Sequence, residues 1–281
     1  MQGNINEYKA ELPEPISDFE DFGHIKLERV ANCRDLGGLP CADGCRVKPK
    51  KLIRSAELHN ATDQDLETLM RKYDMSRVVD FRTSFEAKLE KDPILKMEGV
   101  EYVNLRPIAT EGELIDDQEG ALTVLKQFVS DTPKFFTDMY KDMVTNAHSA
   151  KVYSRFLNML LENSDGSTLW HCTQGKDRTG LAAMFVERAL GASEEVIKAD
   201  YLASNLFLQV KRGRLDDILG RIPFLKSVEI DKEVVAYVRL GNLEYALDVI
   251  KQEHGSLDEY IKNVLDFDDD KQAKLREMYL D

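Results

Sequence analysis

The sequence predicts an α/β protein in which helices flank a central, mainly parallel sheet, with a helical extension at the C-terminal end. Two observations predict this class. Short apolar runs alternate with longer segments of helical spacing up to about residue 192, as strands and helical crossovers do. Every segment after Ser193 then has helical spacing. We expect an N-terminal arm over residues 1–25, an α/β core over 26–192 and a helical extension over 193–281 packed on it as a single domain.

The first half of the chain is assigned from periodicity and turn residues. Residues 26–56 alternate short strand-like runs with turns, one of which is CADGC (41–45). Thr62 precedes an acidic first turn and apolar positions at helical spacing, which predicts a helix. SRVVDFR (76–82) predicts a buried strand and SFEAKLE a helix after it. VEYVNLRP (100–107) predicts another strand, and the acidic stretch that follows, 108–120, predicts a loop.

The second half predicts one more strand among helices. Helical spacing covers residues 133–146 and 149–163, and the strand STLWHC follows them. TGLAAMFVERAL predicts a helix closed by Gly191. EEVIKADYLASNLFLQV and NLEYALDVIKQEHG predict two further helices, and Ser256 with Glu259 has the capping-box pattern before YIKNVL. DDKQAKLREMYL predicts the last helix.

The chain is acidic, with 38 Lys and Arg against 51 Asp and Glu and a net charge of −13. This balance argues against general binding to nucleic acid or to an anionic membrane, so an anionic substrate must meet a local positive site. The longest apolar run, 181–186, is too short to cross a bilayer. The start has no secretory pattern, and the four cysteines have neither metal-site nor disulfide spacing. We expect a cytoplasmic protein with free thiols, no integral membrane segment, no metal and no cofactor.

The most informative stretch is TLWHCTQGKDRTGLAAMFV, residues 168–186. Cys172 ends an apolar strand and Arg178 opens a helix, so the five residues between them must form a tight loop. The N–H groups of such a loop point inward, and the helix N-terminus adds positive charge, which makes a cradle for a phosphate-sized anion. Gly175 permits the sharp turn. Lys176 and Arg178 at a helix N-terminus oppose the helix dipole unless an anion joins them.

The side chains of this loop suit phosphoryl transfer. The amides and the helix dipole that hold phosphate also stabilise a thiolate at Cys172. Arg178 offers a planar fork for two phosphoryl oxygens, and Thr179 could donate its hydroxyl to the sulfur as it leaves. The reaction needs mainly positioning and charge neutralisation, so no metal is required. A Walker-type nucleotide loop does not fit, because its first glycine is missing and Asp177 stands where Ser or Thr should be.

HCTQGKDRTG resembles the signature loop of cysteine-based protein tyrosine and dual-specificity phosphatases, most of all the atypical bacterial group with a Lys-Asp pair in the loop. Three other segments are similar to elements of that group, namely NCRDLGG (32–38), LIRSAEL (52–58) and VVDFRTSFEAK (78–88). The C-terminal stretch EYALDVIKQEHGSLDEYI is similar too, so the likeness covers nearly the whole chain. The resemblance implies the cysteine-phosphatase fold and hydrolysis of phosphotyrosine in proteins and, in some members, of phosphoinositides.

The resemblance also implies roles for individual residues. Cys172 is the nucleophile and Arg178 the phosphate clamp. Asp177, within the loop, is the first candidate for the general acid, because a carboxylic acid must reach the leaving oxygen and the chain lacks a Trp-Pro-Asp loop. His171 is expected to order the loop through hydrogen bonds. The remaining phosphate-binding residues of the loop are Thr173, Gln174, Gly175, Lys176 and Thr179.

Two further sets of aspartates are alternatives for the acid. Asp80, at the end of the neighbouring strand, is the second candidate. A buried ion pair with Arg82 or Arg34 explains Asp80 equally well, in which case these residues support the site. Asp116 and Asp117, in the loop after the 100–107 strand, are the third candidates.

The substrate and the reaction leave alternatives open. Two basic clusters, Lys48-Lys50-Lys51 and Lys211-Arg212-Arg214, are typical of solvated turns but would favour a phosphoinositide or inositol phosphate if either faced the pocket. Lys176 favours the same substrates. LASNLFLQV would form either an apolar wall beside the loop or ordinary core. The protein is then a metal-independent phosphatase, a non-catalytic phosphate-binding module, or another thiol enzyme such as a sulfur transferase or arsenate reductase, and the combination of nucleophile, arginine and acid favours the first.

Overall fold

A computed structural model describes residues 10–108, 130–162, 165–208 and 235–281. Within these ranges five strands form one sheet: β1 (Arg34–Asp35), β2 (Leu52–Ser55), β3 (Met75–Asp80), β4 (Glu101–Asn104) and β5 (Ser167–His171). Their spatial order is β1-β2-β5-β3-β4. β1 is antiparallel to β2, and the other neighbouring pairs are parallel. The mainly parallel α/β sheet predicted from the sequence is confirmed.

Helices account for most of the remaining described residues. Two 3-10 turns, at Ala42–Gly44 and Ile94–Lys96, lie between strands, and a π turn at Thr68–Lys72 continues the first helix. The α-helices in the described ranges are α1 (Asp63–Glu67), α2 (Ser84–Leu89), α3 (Thr132–Thr145), α4 (Ala147–Glu162), α5 (Asp177–Leu190), α6 (Glu194–Phe207), α7 (Leu240–His254), α8 (Leu257–Asn263) and α9 (Asp269–Tyr279).

Alternating side chains of the strands fill two cores, one on each face of the sheet. Leu52 and Trp170 belong to the larger core, to which helices α3 to α9 all contribute. Ile53 and Leu169 belong to the smaller one, with α1 and the chain around it. Because both faces are covered, the strands are continuous apolar runs in the sequence.

Both ends of the chain pack into the larger core. Leu243, Tyr260 and Leu275, from α7, α8 and α9, are fully buried there. Phe19 and Phe22 of the N-terminal arm are buried in the same core. The boundaries at residues 25 and 192 stay predictions, since the three parts share this core.

Local capping chemistry explains where the early helices start. Thr62 begins α1 and Thr83 begins α2, each with a reciprocal capping box to the third residue of the helix, Asp65 and Glu86 respectively. α5 ends at Gly191, whose φ of 95° places it in the left-handed region that favours glycine. The helices predicted after Thr62 and before Gly191 are confirmed.

Two predicted strands are shorter than expected. The strand predicted over 76–82 ends at Asp80, because the Asp80 carboxylate accepts the N–H of Arg82 at 2.8 Å and turns the chain out of the sheet. The strand predicted to reach Pro107 ends at Asn104. Asn104 donates its side-chain amide to the Asp80 and Arg82 carbonyls at 2.9 and 3.0 Å, so hydrogen bonding continues there through a side chain.

Two helix starts also differ from the prediction. α5 begins at Asp177, two residues early, because an acidic residue suits the first turn of a helix. The capping box predicted before α8 is half formed. The Ser256 hydroxyl accepts the N–H of Glu259 at 3.1 Å, whereas the Glu259 carboxylate accepts from Asn263 at 2.7 Å.

The carboxyl ends of four strands meet at one edge of the sheet. The register places Ser55 beside His171, His171 beside Asp80 and Asp80 beside Asn104. The chain segments that leave these strands therefore lie together, at the edge where open α/β sheets bind ligands. The loop that begins at Cys172 follows β5 there, and α2 follows β3.

Some predictions fall outside the described residues. They are most of the 108–120 loop with Asp116 and Asp117, the cluster Lys211-Arg212-Arg214, and the last two residues of LASNLFLQV. Within the described part of that segment, Leu206 is exposed and the Phe207 ring stacks on His24 with centroids 4.2 Å apart. Among the described helices, none combines the length and the apolar character that a bilayer crossing requires.

Candidate active site

The predicted strand-to-helix loop lies between the end of β5 and the start of α5. Cys172, its first residue, is 2% exposed. Gly175 has a φ of 67°, and a Cβ atom there would lie 2.2 Å from the Ser55 carbonyl oxygen. Because only glycine avoids both the backbone strain and this clash, the loop can pack directly against the end of β2.

The loop carbonyls from 172 to 175 are all engaged by donors of the surrounding protein. Three of the donors are side chains from outside the loop and one is a backbone N–H group. The pairs are Cys172 O with His171 Nδ1 (3.2 Å), Thr173 O with Glu57 N (3.3 Å), Gln174 O with Asn32 Nδ2 (3.4 Å), and Gly175 O with Asn32 Nδ2 (2.9 Å) and Arg54 Nη2 (3.1 Å).

These contacts fix the direction of the loop N–H groups. The described chain has no cis peptide, and in a trans peptide the N–H points opposite to the preceding carbonyl. Since the carbonyls face the surrounding protein, the N–H groups of residues 173–176 face the loop interior. No N–H of residues 173–178 donates to a described residue, and the buried Thr179 hydroxyl has no partner among them either. Unpaired donors around a buried turn suit an anion.

Arg178 is aligned by Glu86, the third residue of α2. Its Nη1 and Nη2 donate to the two carboxylate oxygens at 2.6 and 2.8 Å, and Nη1 lies 3.3 Å from the Phe81 carbonyl. The Thr173 hydroxyl donates to the same carboxylate at 2.7 Å, so Glu86 connects α2 to the loop at two points. A guanidinium has five N–H donors. Besides Glu86, Nη1 meets the Phe81 carbonyl and Nη2 the Thr173 hydroxyl at 3.4 Å, so only the Nε N–H has no partner among the described residues and is left for a phosphoryl group.

The Glu86–Arg178 pair stays charged despite its burial. Burial opposes the charge on both groups, but the Arg178 charge and its hydrogen bonds hold the pKa of Glu86 far below its usual range. Glu86 in turn raises the pKa of Arg178 above its usual value. The clamp is therefore cationic at any pH at which the enzyme would work.

Asp177 lies at the rim of the loop, with its side chain 15% exposed. The Tyr140 hydroxyl, from α3, donates to Asp177 Oδ1 at 2.9 Å, and the hydroxyls of Tyr140 and Tyr201 are 2.6 Å apart. The two tyrosines hold the carboxyl group in place while part of it remains accessible. The role of Asp177 as the general acid, which must reach the leaving oxygen of a bound phosphate, stays a prediction.

Lys176 has contacts that the sequence did not predict. Its side chain is 2% exposed, and its ammonium group donates to the Val235 carbonyl and lies 5.4 Å from the centre of the Phe136 ring. Burial lowers the pKa of Lys176. The role of Lys176 in phosphate binding stays a prediction, because the ammonium would have to exchange these contacts for the anion.

A buried ionic network centred on Asp200 of α6 supports the loop. Arg34 and Arg54 each bind one oxygen of Asp200, and the three side chains are at most 1% exposed. Burial and the Asp200 charge raise the pKa of Glu187 well above its usual value, which favours its neutral form. Since Arg54 also donates to the Gly175 carbonyl, the network connects α6 to the loop through β2.

Asp80, the second candidate acid, belongs to a separate buried network. Arg82 donates to it from Nε at 3.0 Å and from Nη2 at 2.9 Å, and the Tyr102 hydroxyl donates at 2.6 Å. Of the two ion pairs considered for Asp80, the one with Arg82 is found, whereas Arg34 binds Asp200. Asp80 is fully buried, so in this arrangement it is not open to a leaving group, and its supporting role stays a prediction.

His171 joins this network to the loop. Its Nε2 lies 3.2 Å from an oxygen of Asp92 and its Nδ1 3.9 Å from an oxygen of Asp80. Burial alone would lower the pKa of His171, but these carboxylates raise it to about 9. The three side chains are close enough to share a metal ion. The Arg82 guanidinium already binds both carboxylates, so positive charge is supplied there by Arg82 and the imidazolium.

We expect the stability contributed by His171 to disappear as the pH rises from 6.5 to about 9. A histidine whose pKa is raised by folding contributes fully below its unfolded pKa and loses that contribution as the pH passes its folded pKa. The full loss amounts to about 3 kcal/mol. Urea unfolding of the wild type and of His171→Gln at both ends of this range measures it. The advantage of the wild type should shrink with rising pH, and parallel profiles would contradict the assignment.

A family model described as "Tyrosine phosphatase family" matches residues 25–281. The chain belongs to this family. It is 31% identical over 265 residues to a Cupriavidus necator protein named as a tyrosine-protein phosphatase, covering 91% of this chain and 88% of that protein. It is 26% identical over 267 residues to the triple specificity protein phosphatase PtpB of Mycobacterium tuberculosis, covering 85% and 92%. The resemblance of the signature loop to cysteine-based phosphatases is confirmed. The family and these relatives show that the protein is a phosphatase.

Several residues that shape the site of this tyrosine phosphatase were not among the predicted site residues. Asn32, Arg54 and Glu86 lie inside the segments that carry the resemblance, so a closer comparison of those segments could have found them. Tyr140 and Asp200 lie on helices whose sequences show only ordinary helical spacing. No local signal marks them, because their contacts are with residues distant in the sequence.

The first basic cluster lies away from the loop of this tyrosine phosphatase. It precedes β2, at the edge of the sheet opposite to the one where β2 meets the loop. Lys48 donates to the carbonyls of Glu277 and Met278, and Lys51 donates to that of Gly166. Lys48 and Lys51 therefore bind backbone carbonyls near the C-terminus and in a turn. This agrees with the prediction from the sequence that the cluster belongs to a turn.

Proposed function

We propose that this phosphatase is a metal-independent phosphomonoester hydrolase that acts through a cysteinyl-phosphate intermediate on phosphotyrosine in proteins, on phosphoinositides, or on both. The observation that carries the proposal is the run of inward-facing N–H groups that begins next to Cys172 and has no acceptor within the part of the chain that the structure describes. Arg178, held by Glu86, adds positive charge at the same loop. Together they supply the positioning and charge neutralisation that phosphoryl transfer needs. The name of the mycobacterial relative, triple specificity protein phosphatase, supports a substrate range wider than phosphotyrosine.

The first half of the reaction transfers the phosphoryl group to sulfur. The phosphate oxygens accept hydrogen bonds from the loop N–H groups and from Arg178. Sγ of Cys172 attacks phosphorus, and an S–P bond forms as the P–O bond to the leaving group breaks. Asp177 gives its proton to the leaving oxygen, which departs as an alcohol or phenol.

The second half returns the enzyme to its starting state. A water molecule attacks the phosphorus of the cysteinyl phosphate, and the Asp177 carboxylate accepts its proton. The S–P bond breaks, its electron pair stays on sulfur, and orthophosphate leaves. The Thr179 hydroxyl, which has no partner among the described residues, is available to donate to that sulfur.

Turnover of a small substrate panel tests the proposed function. We expect hydrolysis of an aryl phosphate, a phosphotyrosine peptide and a phosphoinositide, inhibited by vanadate and unaffected by EDTA. Binding of these compounds without turnover would indicate a non-catalytic phosphate-binding module. Activity toward thiosulfate or arsenate, but not toward phosphoesters, would indicate another thiol enzyme.

Asp177→Asn should slow the enzyme most on substrates with poor leaving groups. The amide cannot donate a proton, and general acid catalysis contributes about 10²-fold or more where the leaving oxygen needs protonation. We expect kcat on phosphotyrosine to fall by about that factor, and kcat on an activated aryl phosphate to fall far less.

Asp80→Asn is the matched control for this experiment. Asp80 is bound by Arg82 and Tyr102, so its replacement should lower stability without changing the dependence on the leaving group. An Asp177→Asn enzyme that slows equally on both substrates would remove Asp177 from the acid role. The same dependence in Asp80→Asn would transfer the role to Asp80.

A further inference from the structure

Exposed apolar side chains are concentrated in one short stretch beside the loop. Seven large hydrophobic side chains of the described residues are exposed. Four of them lie within eleven consecutive positions of the chain after β3, namely Phe85, Leu89, Ile94 and Leu95. Leu95 is 101% exposed and Leu89 68%. Single exposed apolar residues need no explanation, but a local concentration of them marks an interaction surface.

This stretch is attached to the catalytic loop. α2 carries Glu86, whose carboxylate binds both Arg178 and the Thr173 hydroxyl. Phe85 directly precedes Glu86, and Leu89 lies four positions after Phe85, which places the two on one face of α2. The exposed apolar residues therefore begin one residue from the partner of the phosphate clamp, at the same edge of the sheet.

The charges that point outward from this stretch are mainly positive. Lys88, Lys91 and Lys96 are exposed between the apolar residues. Lys88 and Lys91 form no ion pair within the described part of the chain, whereas Lys96 pairs with the exposed Asp63 at 2.7 Å.

The acidic residues of the stretch differ in exposure. Asp92 is buried and binds Arg82, whereas Glu86, bound to Arg178, and Glu90, 3.7 Å from the His59 ring, each have a side chain 31% exposed. Glu98, near the end of the stretch, is exposed. Lys88 and Lys91 are thus exposed cations beside apolar side chains, on a chain whose net charge is −13.

We propose that this surface docks on an anionic lipid bilayer, with the leucines entering the interface and the lysines meeting the headgroups. We call it the α2 rim, formed by Phe85, Lys88, Leu89, Lys91, Ile94 and Leu95. Interleaved apolar and basic residues are typical of segments that lie in a membrane interface. The centre of a protein interface is depleted of lysine, which disfavours a protein partner.

The inference rests on the proposed function and narrows it, since docking would bring the loop to a phosphomonoester carried by a lipid. The net charge of the whole chain opposes approach to an anionic surface. Binding therefore depends on insertion of the apolar side chains, while the lysines give a preference for anionic lipid. A soluble headgroup phosphate would gain nothing from the α2 rim.

Vesicle sedimentation tests the docking directly. Wild type should bind phosphatidylcholine vesicles that contain phosphatidylserine more than vesicles of phosphatidylcholine alone. The double variant Leu89→Ser/Leu95→Ser should bind about tenfold less, because two apolar side chains no longer insert. Lys88→Gln/Lys91→Gln should lose the preference for phosphatidylserine. Matched controls are Leu12→Ser, at a leucine 60% exposed elsewhere, and Lys50→Gln, at the opposite edge of the sheet.

Activity assays separate the docking from the chemistry. The double leucine variant should hydrolyse an aryl phosphate and a soluble short-chain phosphoinositide at wild-type rates, but a vesicle-embedded phosphoinositide about tenfold more slowly. Cys172→Ser should bind vesicles as the wild type does, because docking does not need the nucleophile. If the wild-type protein binds vesicles but turns over none of these substrates, the proposed function is overturned and the docking is not.

Two results would overturn the docking. One is equal vesicle binding by the wild type and the double leucine variant, including no binding by either. The other is a double variant that loses activity only on a phosphotyrosine protein, which would assign the α2 rim to a protein partner.

Discussion

Cys172→Ser should abolish phosphatase turnover, with kcat reduced by at least about 10⁴-fold. A serine hydroxyl is far less ionised than a thiol at neutral pH, so the substitution removes the nucleophile and leaves the loop N–H groups and Arg178 in place. Cys172 is 2% exposed, and serine differs from cysteine only in having oxygen in place of sulfur. The variant should therefore fold, as circular dichroism checks, and should still bind vanadate or phosphate.

The matched control is Cys33→Ser. Cys33 is also buried, but it belongs to the smaller core and lies outside the loop. Its replacement should lower stability and leave kcat within a small factor of the wild type. Phosphatase activity that persists in Cys172→Ser and disappears in Cys33→Ser would contradict the assignment of the nucleophile.

Asp200→Asn should destabilise the protein by about 3–5 kcal/mol. The substitution leaves the guanidinium groups of Arg34 and Arg54 buried without their anion. Removing one partner of a buried ion pair lowers the free energy of unfolding by far more than the intact pair adds to it. Arg54 would also lose its fixed position against the Gly175 carbonyl, so activity should fall in the molecules that remain folded. Denaturant unfolding measures the first effect and kcat at low temperature the second.

Asp258→Asn is the control for Asp200→Asn. Asp258 binds Arg188 at 2.6 Å, but the two side chains are 54% and 33% exposed. Exposed ion pairs of this kind contribute less than about 1 kcal/mol. Equal losses of stability in the two variants would contradict the role given to the buried network.

The signature loop could be predicted because its chemistry is local. Cys172, Gly175 and Arg178 lie within seven consecutive residues, and the strand before them and the helix after them are strongly periodic. Spacing alone therefore requires a tight loop with a helix N-terminus. The conformation of Gly175 and the burial of Cys172 agree with that prediction.

The partners of the loop could not be predicted in the same way, because they are distant in the sequence. Glu86 is 92 positions from Arg178, and Asp200 is 166 positions from Arg34. A single sequence shows which residues are charged, but not which of them a sheet and its crossover helices bring together. The sequence therefore leaves the pairing of Asp80 open between Arg82 and Arg34, and the side-chain contacts of the folded chain show that Arg82 binds it.

Residue type alone does not show which way a side chain points. A lysine in a phosphate loop suggests a cation for the substrate, yet Phe136 and the Val235 carbonyl engage the ammonium of Lys176. Conversely, the basic clusters noticed in the sequence did not include Lys88 and Lys91. Their proposed significance depends on the exposure of Leu89 and Leu95, which the sequence does not show.

Trapping of the phosphorylated enzyme tests the central claim, that the loop presents the Cys172 sulfur to a bound phosphate. A radiolabelled aryl phosphate is mixed with the enzyme, the reaction is stopped with acid within one turnover, and peptide mass spectrometry locates the label. We predict a phosphate group on Cys172 in the wild type, more of it in Asp177→Asn when an activated substrate is used, and none in Cys172→Ser. A phosphate on another side chain, or steady hydrolysis without any labelled protein, would contradict the account.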